Sequence, residues 1–187
     1  MTESQASPTV RRIIGPTILL HSGSYFDFEA PETSAFTIED IAHGLSMVCR
    51  FAGQCNRFYS VAQHSIHVSY IVSPEDAYQG LMHDAAEAFV GDMAKPLKVM
   101  LPEFSVIEKR VEAAVFHRFG IAHPLPATIK EADVTMLVTE QHQIMRNRDD
   151  WDYCRGRKPI DFELPSWTAG QAKSRFLKRY HQLREKS

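Results

Sequence analysis

From about residue 37 onward, apolar side chains return every three or four positions, the rhythm of a helix face turned toward a core. In residues 37–53 they fall at Ile38, Ile41, Ala42, Leu45, Val48 and Ala52, with Thr37 as N-cap and Glu39 and Asp40 in the first turn. Val61, Ser65, Val68 and Val72 form a second stripe, which stops before Pro74. Residues 75–90 predict a third helix, with either Ala77, Leu81, Ala85 and Phe89 or Leu81, Met82, Ala85 and Ala86 inward. The segment 102–120 opens on Pro102 and closes on Gly120, a start and stop pair. A long helix over 126–145 follows, then a polar loop over 147–167. A last amphipathic helix, about 168–184, is marked by Ala172, Phe176, Tyr180 and Leu183. One early stretch breaks the rhythm. In TILLHSGSYFDF (17–28) two β-rich runs flank a turn-forming HSGS, which predicts a small β-hairpin. The expected fold is all-α with an N-terminal hairpin: a flexible tail over 1–12, then one domain over 13–187.

Composition changes this picture little. A chain of 187 residues can bury a core as one domain. A formal net charge of −2 gives no general pull toward nucleic acid, so none is expected as a partner. The locally basic KSRFLKRYHQLREK reads as the solvated side of the last helix. No apolar run reaches the roughly 18 residues of a membrane span, and the first residues lack the apolar core of a signal peptide. The expectation is a cytoplasmic protein with no membrane partner. Cys49, Cys55 and Cys154, odd in number and irregular in spacing, argue against a disulfide framework and against a zinc site.

The chemistry concentrates in LMHDAAEAFVGD, residues 81–92. His83, Asp84 and Glu87 lie among apolar residues, and Asp92 follows Gly91, where the helix should stop. Carboxylates in such a setting are costly unless they are paired or bind a metal. Glu87 is four residues from His83 and three from Asp84, so the three share one side of a helix. One helix cannot close a metal site. His64 on the preceding helix and Asp133 within the apolar KEADVTMLV are the candidates to complete it.

VAQHS, LMHDAAEAFVGDMAKPLK and KEADVTML together resemble the HD-domain metal-dependent phosphohydrolases, over about residues 38–145. The branch containing 5′-deoxynucleotidases and deoxynucleotide phosphohydrolases is the most similar. The resemblance implies an HD-type helical bundle around one divalent transition metal, Mn, Co, Fe, Ni or Zn, with a second metal possible. The ligands implied are His64, His83, Asp84 and Asp133. Two imidazoles and two carboxylates suit those ions better than Mg. Glu87 and Asp92 match acids that orient the attacking water or protonate the leaving group. Arg50 and Phe51 match a pair that contacts the nucleotide, with Phe51 in place of a tryptophan. Lys95 and Lys98, and more weakly Arg57, are candidates to neutralise phosphate. His67, three residues past His64, reads as structural or as a neighbour of the metal shell. One departure is the interval of 19 residues between His64 and His83, shorter than that branch leads one to expect.

The expected activity is hydrolysis of a nucleotide phosphate ester, with a deoxynucleoside monophosphate as substrate. The alternatives are a deoxynucleoside triphosphohydrolase, a hydrolase of another phosphate ester, and a helical regulatory domain with a degenerate site. Similar nucleotidases imply a homodimer or higher oligomer, by analogy only. A di-iron bundle lacks its paired Glu-x-x-His motifs here, and a zincin lacks His-Glu-x-x-His.

Overall fold

The computed structural model describes residues 15–185. The tail expected over 1–12 lies outside them. The described chain is mostly helical, with one two-stranded antiparallel sheet, β1 (Thr17–Leu19) and β2 (Tyr25–Asp27), in the register Ile18 opposite Phe26. The hairpin is clipped to the first helix. Asp40 accepts from the Ser22 backbone N–H at 2.9 Å, and its other oxygen accepts from the Thr37 N–H at 3.1 Å. Thr37 returns a bond to the Asp40 N–H, which completes a capping box.

That helix, α1 (Ile38–Met47), ends five residues before the periodicity predicts. Beyond it the backbone bonds are taken by another segment. The Val61 N–H donates to Val48 O, the Arg50 N–H to Tyr59 O, and Cys49 bridges Ser60. Phe51 and Ala52 then turn through left-handed φ values of 58° and 51°.

Helix α2 (Val61–Ile71), capped by Ser60, is the central post, and it packs against α1, α3, α7 and α8. It is buried on nearly every side, which fits an apolar helix with only Gln63, His64, Ser65 and Ser69 as buried polar groups. A tight turn at Ser73–Asp76 leads to α3 (Ala77–Met82), where Gly80 lies against Ser69 of α2 and Val72 at its C-cap.

The helix expected over 75–90 is interrupted. Between α3 and α4 (Glu87–Val90) the N–H groups of Ala85, Glu87 and Phe89 donate three residues back, to Met82, Asp84 and Ala86. The chain stays right-handed but winds more tightly there. A helix absent from the periodicity reading, α5 (Lys95–Met100), follows. Then come α6 (Pro102–Phe119), closed by Gly120 at φ 66°, and α7 (Ala127–Ile144). The last helix is α8 (Ala169–Arg184), capped by a Thr168–Gln171 box.

The predicted loop between α7 and α8 is anchored rather than loose. The N–H groups of Ile160 and Leu164 donate to Thr139 Oγ1 and Gln143 Oε1 of α7. Two apolar cores result. The larger lies among the hairpin, α1, α3, α4, α6 and α8, around Phe26, Ile41, Leu81, Val115 and Phe176. The smaller lies between α2, α7 and the anchored loop, around Tyr59, Val68, Met136 and Leu164. Among the described residues no helix is long and apolar enough to cross a membrane.

Candidate metal centre

Three elements bring the predicted donors together: α2, the tightened turn before α4, and α7. His64 Nε2 stands 3.3 Å from Asp133 Oδ1 and 3.7 Å from Asp84 Oδ2. His83 Nε2 stands 3.1 Å from the same Asp84 oxygen. One donor atom each from His64, His83 and Asp133 lie within 4.8 Å of one another. The tight winding matters here. In a three-residue turn, positions i and i+3 eclipse, so Asp84 and Glu87 emerge on the same side.

The outer nitrogens of both histidines are already occupied. His83 Nδ1 is 2.9 Å from the Gly80 carbonyl, which can only accept, so the ring proton sits on Nδ1. His64 Nδ1 donates in the same way to Glu140 Oε1 at 2.6 Å. Both Nε2 atoms are buried without a hydrogen-bond partner. A lone pair held inward by an outer acceptor is the usual arrangement of metal-binding histidine. Buried orphan nitrogens beside two carboxylates fit a divalent cation, and the imidazole–carboxylate set fits a transition ion.

The acids around His64 favour a positive charge at its ring, one that a cation bound there would replace by displacing the Nε2 proton. Burial works against ionisation of Asp84, but His83 and then His64 outweigh it and bring its pKa down to about 2. Asp133, also opposed by burial, is held well below the carboxylate range by His64, His83 and Lys130. Burial and Arg50 disfavour the charged form of His64, yet Glu140 and Asp133 prevail and lift its pKa to about 9. Burial, Asp84 and Asp92 push Glu87 well above its ordinary value, and its Oε2 is a further buried atom without a partner. Burial and Asp84 raise Asp92 against the pull of Arg50. Gly91, at φ 79°, makes the turn that brings Asp92 back toward these charges.

No family model matches the sequence. Over 166 residues the chain is 34% identical to the uncharacterized protein YfdR of Escherichia coli (strain K12), a match spanning 88% of this chain and 93% of YfdR. The chain belongs to the YfdR family. It is also 40% identical over 121 residues to an uncharacterized protein of Rhodobacter capsulatus, covering 59% of this chain and 62% of that one.

The remaining candidates divide. Arg50 is buried at the cluster: its Nε donates to Glu140 Oε2 at 3.1 Å, and Nη1 lies 3.9 Å from Asp84. Burial opposes its charge, but Glu140, Asp92, Asp84 and Asp133 hold it firmly protonated. Phe51 lies with its ring 5.4 Å from the Arg50 guanidinium carbon and packs on the smaller core. Lys98 bonds Glu108 at 2.6 Å, and its charge reaches Glu87, Asp84 and Asp92. Lys95 is different: it is exposed, with its ammonium over the Tyr153 ring. Arg57 donates to the Leu164 carbonyl and fastens the anchored loop. His67 packs against Phe162 and Trp167, and burial lowers its pKa to about 4. Cys49 and Cys55 are free thiols 3.7 Å apart.

Glu140 joins the site from outside the sequence motifs that mark the other donors. It is fully buried and accepts from Arg50 and His64 together. Its signal was present: it lies seven residues after Asp133, two turns on along the same face of α7, inside an equally apolar stretch.

Proposed function

We propose that this protein is an HD-domain phosphohydrolase dependent on a divalent transition metal. Its proposed substrate is a nucleotide, a deoxynucleoside 5′-monophosphate in the first instance. The observation that carries the reading is the pair of buried, unpartnered imidazole Nε2 atoms facing Asp84 and Asp133, beside a second pair of acids, Glu87 and Asp92.

His64, His83, Asp84 and Asp133 would hold the ion. A metal bound there supplies a Lewis acid for a phosphoryl oxygen and acidifies a water. The chain's own groups account for the rest. Glu87 Oε2 is free of hydrogen bonds and protected from solvent, so it can take a proton from a water or return one to a leaving oxygen. Asp92, also raised in pKa, is suited to carry a proton in the same cycle. Arg50 has its Nε side fixed by Glu140, which leaves the other edge of a rigid fork for phosphate. Phe51 offers a ring beside it for sugar or base. Lys98 adds a positive charge close to the acids.

The test is a panel of (deoxy)nucleoside mono- and triphosphates with Mn²⁺, Co²⁺ or Zn²⁺, read as phosphate release with and without a polyphosphatase. Monophosphates should release phosphate directly. A signal that requires the polyphosphatase would favour triphosphate release instead. Glu87→Ala should retain metal and lose about 10²–10⁴ in turnover. His83→Ala and Asp84→Ala should lose metal and activity while keeping their helicity. Glu87→Ala turning over at the wild-type rate, or no release with any of the three metals, overturns the proposal.

A further inference from the structure

The basic stripe of α8 lines a cavity. Arg175, Lys178 and Arg179 stand three and four residues apart on one face, flanking the buried stripe of Ala172, Phe176 and Leu183. That face forms one wall of a cavity of about 610 Å³ between α8, α2 and the anchored loop. The facing wall is aromatic. Phe162 and Trp167 of the loop flank His67 of α2, with ring centroids 5.2 and 5.4 Å from it, the His67–Trp167 pair stacked at 24°.

Several features separate this cavity from ordinary surface. Its volume falls in the range of small-molecule sites, roughly 300–1,000 Å³. No Asp or Glu lines it, and none of the residues around the metal centre does. Arg175 and Lys178 have no carboxylate partner among the described residues. Arg175 lies over Trp167 at 4.7 Å. Arg179 is fixed by two bonds to Ser69, at 3.1 Å to the hydroxyl and 2.9 Å to the carbonyl. His67 Nε2 is buried at the aromatic wall without a partner. A second cavity, of about 510 Å³, shares Arg175 and Lys178 and extends past Ser174.

Aromatic rings beside cations that lack carboxylate partners select a planar aromatic group joined to an anion. We propose that this cavity binds an aromatic phosphate of nucleotide size, at a site separate from the metal centre. The ring would lie against Trp167 and Phe162. The phosphate would lie between Arg175 and Lys178, and further phosphates would run into the adjoining cavity. The proposal stands whether or not the metal centre is a hydrolase.

Trp167 is itself the reporter, because the chain has only two tryptophans. In a Trp151→Phe background, the remaining fluorescence is titrated with AMP, ATP, adenosine and inorganic phosphate. The titration is repeated with His83→Ala added, which removes a metal donor and leaves the cavity intact. AMP and ATP should quench saturably in both backgrounds, at least tenfold more tightly than adenosine or phosphate. Arg175→Glu with Lys178→Glu, both exposed positions, should weaken AMP at least tenfold at an unchanged Tm. Absence of saturable quenching by either nucleotide overturns the proposal. So does equal affinity for adenosine and AMP, or quenching that disappears with His83→Ala.

Discussion

Glu140 lies where two requirements meet. Arg50 is buried and needs a counter-charge, and His64 needs an acceptor on Nδ1 to present Nε2 inward. One carboxylate meets both. Glu140→Gln should keep the shape and weaken the acceptor, and the loss of metal affinity expected for such a change is about 10–100-fold, read by equilibrium dialysis. Glu140→Ala removes the acceptor altogether and strips the buried Arg50 guanidinium of the partner that bonds its Nε. Breaking a buried pair in this way costs about 3–5 kcal/mol, measurable by urea denaturation. The contrast between Glu140 and the other donors shows what the sequence makes legible. His83, Asp84, Glu87 and Asp92 lie within ten residues and identify one another. His64 and Asp133 follow from the need to complete the set. Glu140 acts through His64 rather than beside it, so only its spacing of two turns from Asp133 along α7 points to it. Lys95 and Lys98 are equivalent by composition, and only the direction in which α5 carries each separates them.

At the scale of elements, apolar spacing gives α2, α6, α7, α8 and the hairpin nearly to their ends. It fails where backbone groups find partners outside the helix. Val48 and Arg50 bond the strand-like Tyr59–Val61 instead of extending α1. Residues 83–89 keep a helical sequence pattern while their bonds shift to three-residue turns, which spacing alone does not register. The position of α4 depends on a close approach to α1. A Cβ on Gly44 would lie 2.6 Å from the Ala88 carbonyl and 2.9 Å from the Ala88 Cβ. Gly44→Ala must therefore push α4 away and carry Glu87 with it. A destabilisation of about 1–3 kcal/mol is expected from overpacking, together with a fall in turnover larger than any fall in metal content.

The hairpin clip has its own pH dependence. Burial acts to raise the Asp40 pKa, but the bonds from Ser22 and Thr37 outweigh it, so the folded pKa lies below the ordinary 3.8. Its contribution is present in full above that value and is lost as pH falls through the folded pKa. Denaturation midpoints followed from pH 6 to pH 2 should show Asp40→Asn less stable at pH 6, by about 1 kcal/mol as for a lost cap, with the gap closing in acid. A gap that is constant with pH would count against the clip.

For the whole molecule, an ion bound only to the folded state stabilises it by mass action. At a hundredfold excess over Kd this amounts to about 2.7 kcal/mol. In a chain of this length that corresponds to a rise in Tm of roughly 5–10 °C. Differential scanning fluorimetry with Mn²⁺, Co²⁺ or Zn²⁺ should show the rise in wild type, and chelator should reverse it. His83→Ala should show none. An equal rise in both proteins would mean that the ion binds elsewhere.

The two apolar cores share α2 as a party wall, with His64 buried in it. Asp84 and His83 reach that wall from the side of the larger core, and Asp133 and Glu140 from the side of the smaller one. A cation gripped by all of them would act as a rivet through the wall, joining two bodies that the covalent chain between residues 84 and 133 ties only by a long detour through α5 and α6.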